Sequence, residues 1–361
     1  MKRLSKRSFE TLEQRYCLTV GVTVTDGDLI VTGDADGAVE ITAVDADTYE
    51  VRDNGVLVST AEAVSDDIRV KLDASAGADN VVSLNLNGQA VDDVLLDLGD
   101  GDNSFTLQNG TVNGNLHYRG GDGDDSLTLA ADATVAKSVQ ARLGDGDNSL
   151  NVAGTVTRDL VVFAGSGDDS LEIAAGATIG RSVAARLGGG DNDVSIAGAV
   201  TRDAAILTGN GDDVIQLLAE ASVGRSLQIG AGSGDNNVTL AGSVTGNVNL
   251  CMGNGNDTVA VATDAVLSGD LNVLLGDGDN TLTHDGTIEG DLRVTSGNED
   301  DVVTVADTAT VGGETEINLG VELGFGGRRG PHGSRGGAAP GRGMAGGFAG
   351  VGGPRGAAVR R

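Results

Sequence analysis

Apolar and polar residues alternate in short runs along most of the chain, and the runs recur about every 22 residues from residue 76 onward. Alternation with a period of two is typical of a β-strand with one buried face. A second apolar column follows the first by two residues, and two further columns precede the next repeat, as at Leu160 and Val162. The pattern therefore predicts, for each repeat, a strand, a corner, a second strand and a turn. The first column consists of Phe105, Leu127, Leu150, Leu171, Val194, Ile215, Val238, Val259, Leu282 and Val303.

A glycine-rich polar motif separates the repeats. The pattern Gly-x-Gly-Asp-(Asn/Asp) begins at 99, 121, 144, 165, 188, 209, 232, 253, 276 and 297, and a degraded copy begins at 76. From 144 onward the spacing alternates between 21 and 23 residues, and the fifth position alternates between Asn and Asp. The chain is therefore built from a 44-residue double repeat of two unlike coils.

One coil of this length cannot bury its own apolar side, whereas stacked coils share a continuous core. We therefore predict an all-β fold, a β-solenoid of the right-handed parallel β-helix type, with about eleven coils over residues 76–320. At about 4.8 Å per stacked strand, such a rod is on the order of 50 Å long. Residues 20–75 are predicted to form a small β-rich N-terminal cap. Hairpin turn signals stand there at positions 26–27, 36–37 and 54–55.

The two ends of the chain differ from this repeat. Residues 1–19 are interpreted as a leader or sorting segment. Residues 321–361 are rich in Gly and Arg and have no apolar period, so they are predicted to be a disordered basic tail. A frameshifted end is the alternative interpretation of that segment.

The charge of the chain restricts its partners. The formal net charge is -29, and residues 21–320 hold 12 basic against 50 acidic residues. Nucleic acid and anionic membranes are polyanions that select for basic patches, so we expect neither as a partner and expect cations instead. No apolar run approaches the roughly 18 residues of a transmembrane helix. Cys17 and Cys251 are too few for a disulfide framework or a cysteine metal cluster.

Stacking places one Asp of each turn in a column, from Asp102 to Asp300, with Asn256 as an exception. Carboxylates about 5 Å apart repel by roughly 1 kcal/mol in water. Calcium would offset this repulsion, because it takes six to eight oxygen ligands and turns supply carboxylates together with carbonyls. The alternative is that each Asp accepts backbone N–H bonds within its own turn and the edge is solvated. The candidate metal ligands are Asp122, Asp124, Asp125, Asp168, Asp169, Asp212, Asp213, Asp257, Asp300 and Asp301.

The turns resemble the calcium-binding nonapeptide of RTX β-rolls, Gly-Gly-x-Gly-x-Asp-x-apolar-x. Residues 120–128 fit this nonapeptide throughout, and the copies at 165, 209 and 253 lack only its first Gly. The resemblance implies calcium along one edge. RTX nonapeptides follow one another directly, whereas one occurs per coil here, and Asn replaces the sixth-position Asp in alternate copies.

Residues 9–18 read F-E-T-L-E-Q-R-Y-C-L. They resemble the short F-E-x-L-E-x-R-x-x-L leader of large extracellular proteins from planctomycete bacteria, which also carry acidic Gly-Asp repeats. This resemblance implies export and a location outside the cell or on its surface.

Basic residues also form a column, at one equivalent corner position of successive coils. One interpretation is a binding site for an acidic polysaccharide. The other is that its residues form ordinary surface ion pairs with Asp159, Asp203 and the acidic residues around them. His117 falls at an outward strand position and His284 in an inward column, and no second histidine or nucleophile lies near His284 in the sequence. We therefore expect no enzyme. The basic column consists of Lys137, Arg158, Arg181, Arg202 and Arg225.

Together these features predict an extracellular scaffold or adhesion protein with calcium as a structural ion, and with cell-wall or extracellular polysaccharide or matrix proteins as partners. A polysaccharide-binding or polysaccharide-active β-helix is the second hypothesis. A self-assembling filament of the bactofilin type is the third, suggested by the corner at residues 242–248, Gly-Ser-Val-Thr-Gly-Asn-Val.

Overall fold

The structure is a computed structural model that describes residues 20–35, 37–72, 78–297 and 300–320. The predicted leader, the predicted tail and the boundary predicted at 75–76 lie outside the described residues. The described chain contains no helix long and apolar enough to cross a membrane.

The N-terminal part contains seven strands. They are β1 (Gly21–Thr25), β2 (Asp28–Gly33), β3 (Ala38–Ala43), β4 (Tyr49–Asp53), β5 (Val56–Ala61), β6 (Ile68–Leu72) and β7 (Val81–Val91).

The repeats supply the other strands. Those of the next five coils are β8 (Val94–Asp97), β9 (Ser104–Val112), β10 (Leu116–Arg119), β11 (Ser126–Val135), β12 (Val139–Gly144), β13 (Ser149–Val152), β14 (Thr155–Val156), β15 (Leu160–Ala164), β16 (Ser170–Ile173), β17 (Thr178–Ile179), β18 (Val183–Arg186), β19 (Asp193–Ile196), β20 (Ala199–Val200) and β21 (Ala204–Leu207). The last coils contain β22 (Val214–Leu217), β23 (Ser222–Val223), β24 (Leu227–Gly232), β25 (Asn237–Leu240), β26 (Ser243–Val244), β27 (Val248–Met252), β28 (Thr258–Val261), β29 (Val266–Leu267), β30 (Leu271–Leu274), β31 (Thr281–His284), β32 (Thr287–Ile288), β33 (Leu292–Thr295), β34 (Val302–Val305), β35 (Thr310–Val311) and β36 (Thr315–Asn318).

These strands wind into a parallel β-solenoid of about eleven coils, as predicted. Sheet A contains β1, β2, β6, β8, β10, β12, β15, β18, β21, β24, β27, β30, β33 and β36 in that order. Sheet B contains β3, β7, β9, β11, β13, β16, β19, β22, β25, β28, β31 and β34 as its main row. Apart from β1, which is antiparallel to β2, neighbouring strands of both rows are parallel. Equivalent residues pair, as Leu127 with Leu150 and Leu150 with Leu171.

The corner between the two sheets is formed by strand, where the sequence predicts only a short turn. In β9 and β11 one strand runs through the corner, and from β13 onward a separate two-residue strand occupies it, beginning with β14. The inward residue of this corner strand is buried, as Val156 is. Each later coil therefore has three strands rather than the two predicted.

The predicted apolar columns form the core. Their members are almost completely buried from Val20 to Val303, and Val, Leu, Ile and Ala predominate. Because equivalent positions pair in register, each core side chain packs against the same column in the coils before and after it. The in-register stack therefore supplies the buried apolar area that a single coil lacks.

Antiparallel strands occur at the N-terminal end of the stack. β1 pairs antiparallel with β2, and β4 lies antiparallel between β3 and β5. Two of the predicted hairpin turns are present, with positive φ at Asp26 and Gly27 and again at Asn54 and Gly55, as two-residue hairpins favour. β2 and β3 already lie parallel to β6 and β7, so residues 20–72 contribute to both sheets.

The close stacking of the turns requires glycine. Gly211 has a φ of 138°, and a Cβ atom there would overlap the carbonyl oxygen of Gly190 in the preceding coil. Gly176 also has a positive φ, of 85°, but a Cβ atom would meet nothing within 4 Å. At Gly176 glycine is favoured by the backbone conformation alone, whereas at Gly211 the close approach of two coils requires it as well.

We predict that Gly211→Ala lowers the free energy of unfolding clearly more than Gly176→Ala. The second change costs only the left-handed backbone penalty of about 1–2 kcal/mol, whereas the first adds a clash with backbone that has no rotamer to change. Urea denaturation of the two variants measures the difference. Equal losses would show that the coils separate at the turns without cost.

Candidate functional site

All glycine turns of the described coils lie on one edge of the solenoid, as predicted, and their polar residues form two parallel columns. The inner column is the fifth motif position, and its members are at most 5% exposed. The outer column is the fourth motif position, which includes Asp124 and Asp168. The inner column consists of Asn80, Asn103, Asp125, Asn148, Asp169, Asn192, Asp213, Asn236, Asp257, Asn280 and Asp301.

The inner column is a continuous hydrogen-bond ladder. The backbone N–H of each member donates to the side-chain Oδ1 of the member in the following coil, as from Asn148 to Asp169 (3.0 Å) and from Asp169 to Asn192 (3.1 Å). The same bond recurs from Asn80 through Asn280, over 2.7–3.1 Å. The ladder satisfies buried donors that would otherwise be costly to bury.

The Asn members have a second function, because their amides donate as well. The Nδ2 atom of Asn148 donates to the Gly146 carbonyl of its own turn (2.8 Å) and to Oδ1 of Asp169 in the next coil (2.9 Å). Asn192 and Asn236 make the same pair of bonds. An Asn turn is therefore closed by its own side chain.

The Asp members have no such donor. In Asp169, Asp213 and Asp257 the Oδ1 atom accepts hydrogen bonds, but the buried Oδ2 atom has no hydrogen-bond partner. Asp125 and Asp301 differ, because their Oδ2 atoms accept bonds from Gly121 N–H (3.1 Å) and from the Ser296 hydroxyl. Three successive Asp turns therefore each hold an unsatisfied, buried carboxylate oxygen.

The alternation of Asn and Asp has an electrostatic reason. If every member were Asp, neighbouring carboxylates would lie about 4.8 Å apart, at the strand spacing. With Asn between them the separation doubles, which halves the Coulomb repulsion. The amide between them also donates a hydrogen bond to the next carboxylate. The alternation of Asn and Asp in the double repeat therefore keeps like charges apart in the inner column.

The outer column forms a second ladder that runs in the opposite direction. The Oδ1 atom of each member accepts the backbone N–H of the member in the following coil, as Asp124 from Asp147 (2.7 Å) and Asp147 from Asp168 (2.7 Å). The bonds continue to Asp279. They join neighbouring coils, and not residues of one turn as the solvated alternative predicted. Asp124, Asp168 and Asp212 are exposed and each accepts such a bond.

Burial changes the acidity of the inner column. It raises the pKa of Asp125, Asp169 and Asp257 to about 6 in each case, against the opposing effect of hydrogen bonds from the neighbouring Asn. Burial also raises the pKa of Asp213, and the nearby Thr208 hydroxyl opposes this rise. That hydroxyl donates its hydrogen bond to the Ala231 carbonyl (3.2 Å), so it leaves Oδ2 of Asp213 without a donor. A proton or a cation at Oδ2 would remove the cost of the buried charge.

Within the described residues, three carboxylates come within 4.8 Å of one another at one place, at Asp28, Asp66 and Asp67. Arg69 lies 3.1 Å from Asp28 and 2.8 Å from Asp67, so a cation of the chain already occupies this cluster. Among the described residues, no three of the predicted turn carboxylates, Asp122 and Asp300 included, come within 4.8 Å of one another. A metal ion at the turn edge would therefore need backbone carbonyls as well as carboxylates.

The basic column lies at the opposite corner and is exposed. Its residues are equivalent, because the backbone N–H of Arg158 donates to the Lys137 carbonyl and the bond repeats as far as Arg225. Among the described residues one member has an ion pair, Arg181 with Asp159 at 3.5 Å. The Asp159 and Asp203 carboxylates also accept backbone N–H bonds from the next coil.

The two histidines in the described chain have different surroundings. His117 is exposed on sheet A and its Nδ1 lies 3.2 Å from Gln140 Oε1. His284 is buried, its Nε2 lies 3.2 Å from the Thr310 carbonyl, and burial lowers its pKa. Both positions agree with the sequence interpretation.

Sequence reasoning missed the role of the Asn amides. It took Asn at the fifth position as a departure from a calcium motif, whereas the amide closes the turn and supports the next carboxylate. The regular alternation of Asn and Asp was the signal that could have identified this ladder.

No family model matches the chain, and no curated protein matches it. Among solved structures the chain is similar to a hyperactive, Ca²⁺-dependent, β-helical antifreeze protein from an Antarctic bacterium. The two are 19% identical, the similarity covers 78% of this chain and 85% of the other, and the TM-score is 0.40.

We predict that, in a metal chelator, the wild type loses stability between pH 5 and pH 7 relative to the double variant Asp169→Asn, Asp257→Asn. A carboxyl whose folded pKa is raised from 3.8 to about 6 stabilises the fold when protonated. That contribution is complete below the unfolded pKa of 3.8 and is lost as pH rises through the folded pKa. Of the roughly 3 kcal/mol per residue that is lost in total, about 1 kcal/mol falls between pH 5 and pH 7. Unfolding curves of both proteins over this range measure the difference. A constant difference would show that the two carboxylates are solvated.

Proposed function

We propose that the chain is an extracellular structural rod with a scaffolding or adhesive role, and that calcium stabilises it at the Asp turns. The observation that carries this proposal is the buried, unpartnered Oδ2 atom of Asp169, Asp213 and Asp257. Near neutral pH, above a raised pKa of about 6, Asp169 and Asp257 are ionised in a buried position. A cation offsets this charge without protonation.

The donor chemistry of the Asp turns suits calcium. Where an Asn turn has an amide that donates to a glycine carbonyl, the Asp turn has a carboxylate oxygen and the equivalent carbonyl. Carboxylate and carbonyl oxygens are hard ligands that calcium accepts in flexible geometry. Magnesium needs a compact octahedron and gives up its waters reluctantly. Asp169, Asp213 and Asp257 would be the central ligands, with Asp168 and Asp212 of the same turns beside the first two.

A structural role is proposed over a catalytic one because the described residues form a regular stack. The two described histidines lie far apart in it, one buried and one on a sheet surface. The extracellular location is supported by the leader-like residues 9–18, which separate this proposal from a cytoplasmic filament of the bactofilin type. Detection of the protein outside intact cells tests the location.

We predict that calcium raises the Tm of the wild type by about 5 to 10 °C at one hundred times the Kd. Sodium chloride of equal ionic strength raises it less, and magnesium gives an intermediate effect. The triple variant Asp169→Asn, Asp213→Asn, Asp257→Asn loses most of this increase. In a chelator at pH 7.5 it melts above the wild type, because each new amide reaches its own glycine carbonyl. Thermal melting with calcium titration measures both effects.

The matched control is Asp147→Asn, Asp191→Asn, Asp235→Asn in the outer column. It removes the same charge, and Asn can accept the same backbone bond, as Asn256 does from Asp279. This control should keep most of the calcium effect. Equal loss in both triple variants would mean that calcium only screens the acidic edge, and the same Tm in calcium and in sodium chloride would refute the proposal.

A further inference from the structure

The outer surface of sheet A differs in charge from the rest of the rod. In the eight strands β10, β12, β15, β18, β21, β24, β27 and β30, none of the outward-facing residues is Asp or Glu. Asp97 in β8 and Glu316 in β36 are outward acidic residues beyond the two ends of this region. We call the outward surface of these eight strands the acid-free face. In a chain with a net charge of -29, it is where an anionic partner meets the least repulsion.

Three arginines lie in one ladder on the acid-free face. The parallel register pairs Arg119 with Arg142, Arg142 with Phe163, Phe163 with Arg186 and Arg186 with Leu207. At about 4.8 Å per strand, the three guanidinium groups are spread over about 14 Å along the rod. They are exposed, and within the described chain none of them has an ion pair or a side-chain hydrogen bond. Their charge is therefore available to a partner.

A shallow groove of about 390 Å³ interrupts this ladder. Ala184 and Ala205 lie on neighbouring strands and are small, so the surface is low between the larger side chains around them. Phe163 and Leu207 border the groove and are 36% and 38% exposed, and Arg186 lines it as well. The groove thus offers apolar walls next to a cation.

Amide side chains continue along the same face. Gln140 lies beside His117, and Gln228 lines the groove. Asn249 and Asn272 hydrogen-bond to each other at 3.1 Å and line a second groove of about 330 Å³. Amides both donate and accept hydrogen bonds, which suits a partner with many hydroxyl groups.

We propose that the acid-free face binds a linear carboxylated polysaccharide that lies along the rod. Carboxylates of the polymer pair with Arg119, Arg142 and Arg186, since a guanidinium binds a carboxylate through two parallel hydrogen bonds. A sugar ring occupies the groove over Ala184 and Ala205 against Phe163, and its hydroxyls bond to the amides. The proposal names an adhesion partner and rests on the proposed extracellular role, but not on the proposed calcium sites.

The predicted basic column is a weaker location for the same ligand. Arg181 pairs with Asp159, and Asp203 and Asp159 lie in that corner. An acidic polymer bound there would meet these carboxylates, whereas the acid-free face has none. The column has the same residue type at the same strand spacing, so it provides a control of equal charge.

Two other occupants fit the face less well. A second copy of the chain would bring another net charge of -29 against the first. A nucleic acid presents a phosphate at every nucleotide and is held mainly by cations, whereas Val161, Phe163 and Leu207 give the centre of this face an apolar character. A sugar ring has apolar C–H surfaces as well as polar groups.

The test measures binding of the full chain to polygalacturonate by calorimetry, with neutral dextran as the reference polymer. It is carried out in a chelator at a temperature below the melting transition in that buffer. We expect the wild type to bind polygalacturonate and not dextran. The double variant Arg142→Gln, Arg186→Gln should bind about tenfold more weakly and with a smaller salt dependence. The control Arg158→Gln, Arg202→Gln should bind as the wild type does, and both variants should keep the wild-type Tm.

A further variant examines the groove. Phe163→Ser should weaken binding without changing its salt dependence, because it removes apolar contact and no charge. Equal weakening by the two arginine pairs, binding that requires calcium, or equal binding of single-stranded DNA would overturn the proposal. A change in oligomeric state in Arg142→Gln, Arg186→Gln without loss of polygalacturonate binding would assign the face to a second copy. The calcium-dependent Tm is measured separately, so either proposal can fail alone.

Discussion

The parallel, in-register stacking of coils at about 4.8 Å is the constraint on which the rest of the structure depends. Each residue lies next to the equivalent residue of the coils before and after it. For apolar residues such as Leu127, Leu150 and Leu171 this repetition is favourable, because every coil adds a layer to the same core. For charged residues it is unfavourable, since any acidic position becomes a row of like charges.

The turn edge shows how the sequence accommodates that constraint. Backbone N–H groups bond to side-chain oxygens in two ladders of opposite direction, so the acidic side chains hold coils together as well as repel. In the inner column Asn separates the Asp residues and donates to their Oδ1 atoms. The Oδ2 atoms of Asp169 and Asp257 still have no hydrogen-bond partner. Burial raises the pKa of both residues to about 6, so the same oxygen atoms account for the expected pH dependence and for the proposed calcium sites.

The two sheets distribute charge differently. Acidic side chains line the turn edge and occur on the outer surface of sheet B, as Glu172 and Asp193 do, but they are absent from the acid-free face of sheet A. A rod of this kind can therefore be stabilised by cations along one edge and meet an anionic polymer along one face. The two surfaces adjoin each other where the sheet A strands lead into the glycine turns, as β12 does at Gly144.

The sequence alone was sufficient for the solenoid and its coil period, because the period of two, the 22-residue spacing and the glycine turns each specify local geometry that stacking then repeats. It did not reveal the short third strand at the corner of the later coils. It also placed Asp125, Asp169 and Asp213 on one edge. It could not show that the hydrogen bonds at this edge join neighbouring coils, because the partners are 21 to 23 residues apart. The grouping of Arg142, Phe163 and Arg186 was likewise decided by tertiary structure. Each lies in a different repeat, and only the in-register pairing of parallel strands brings them side by side.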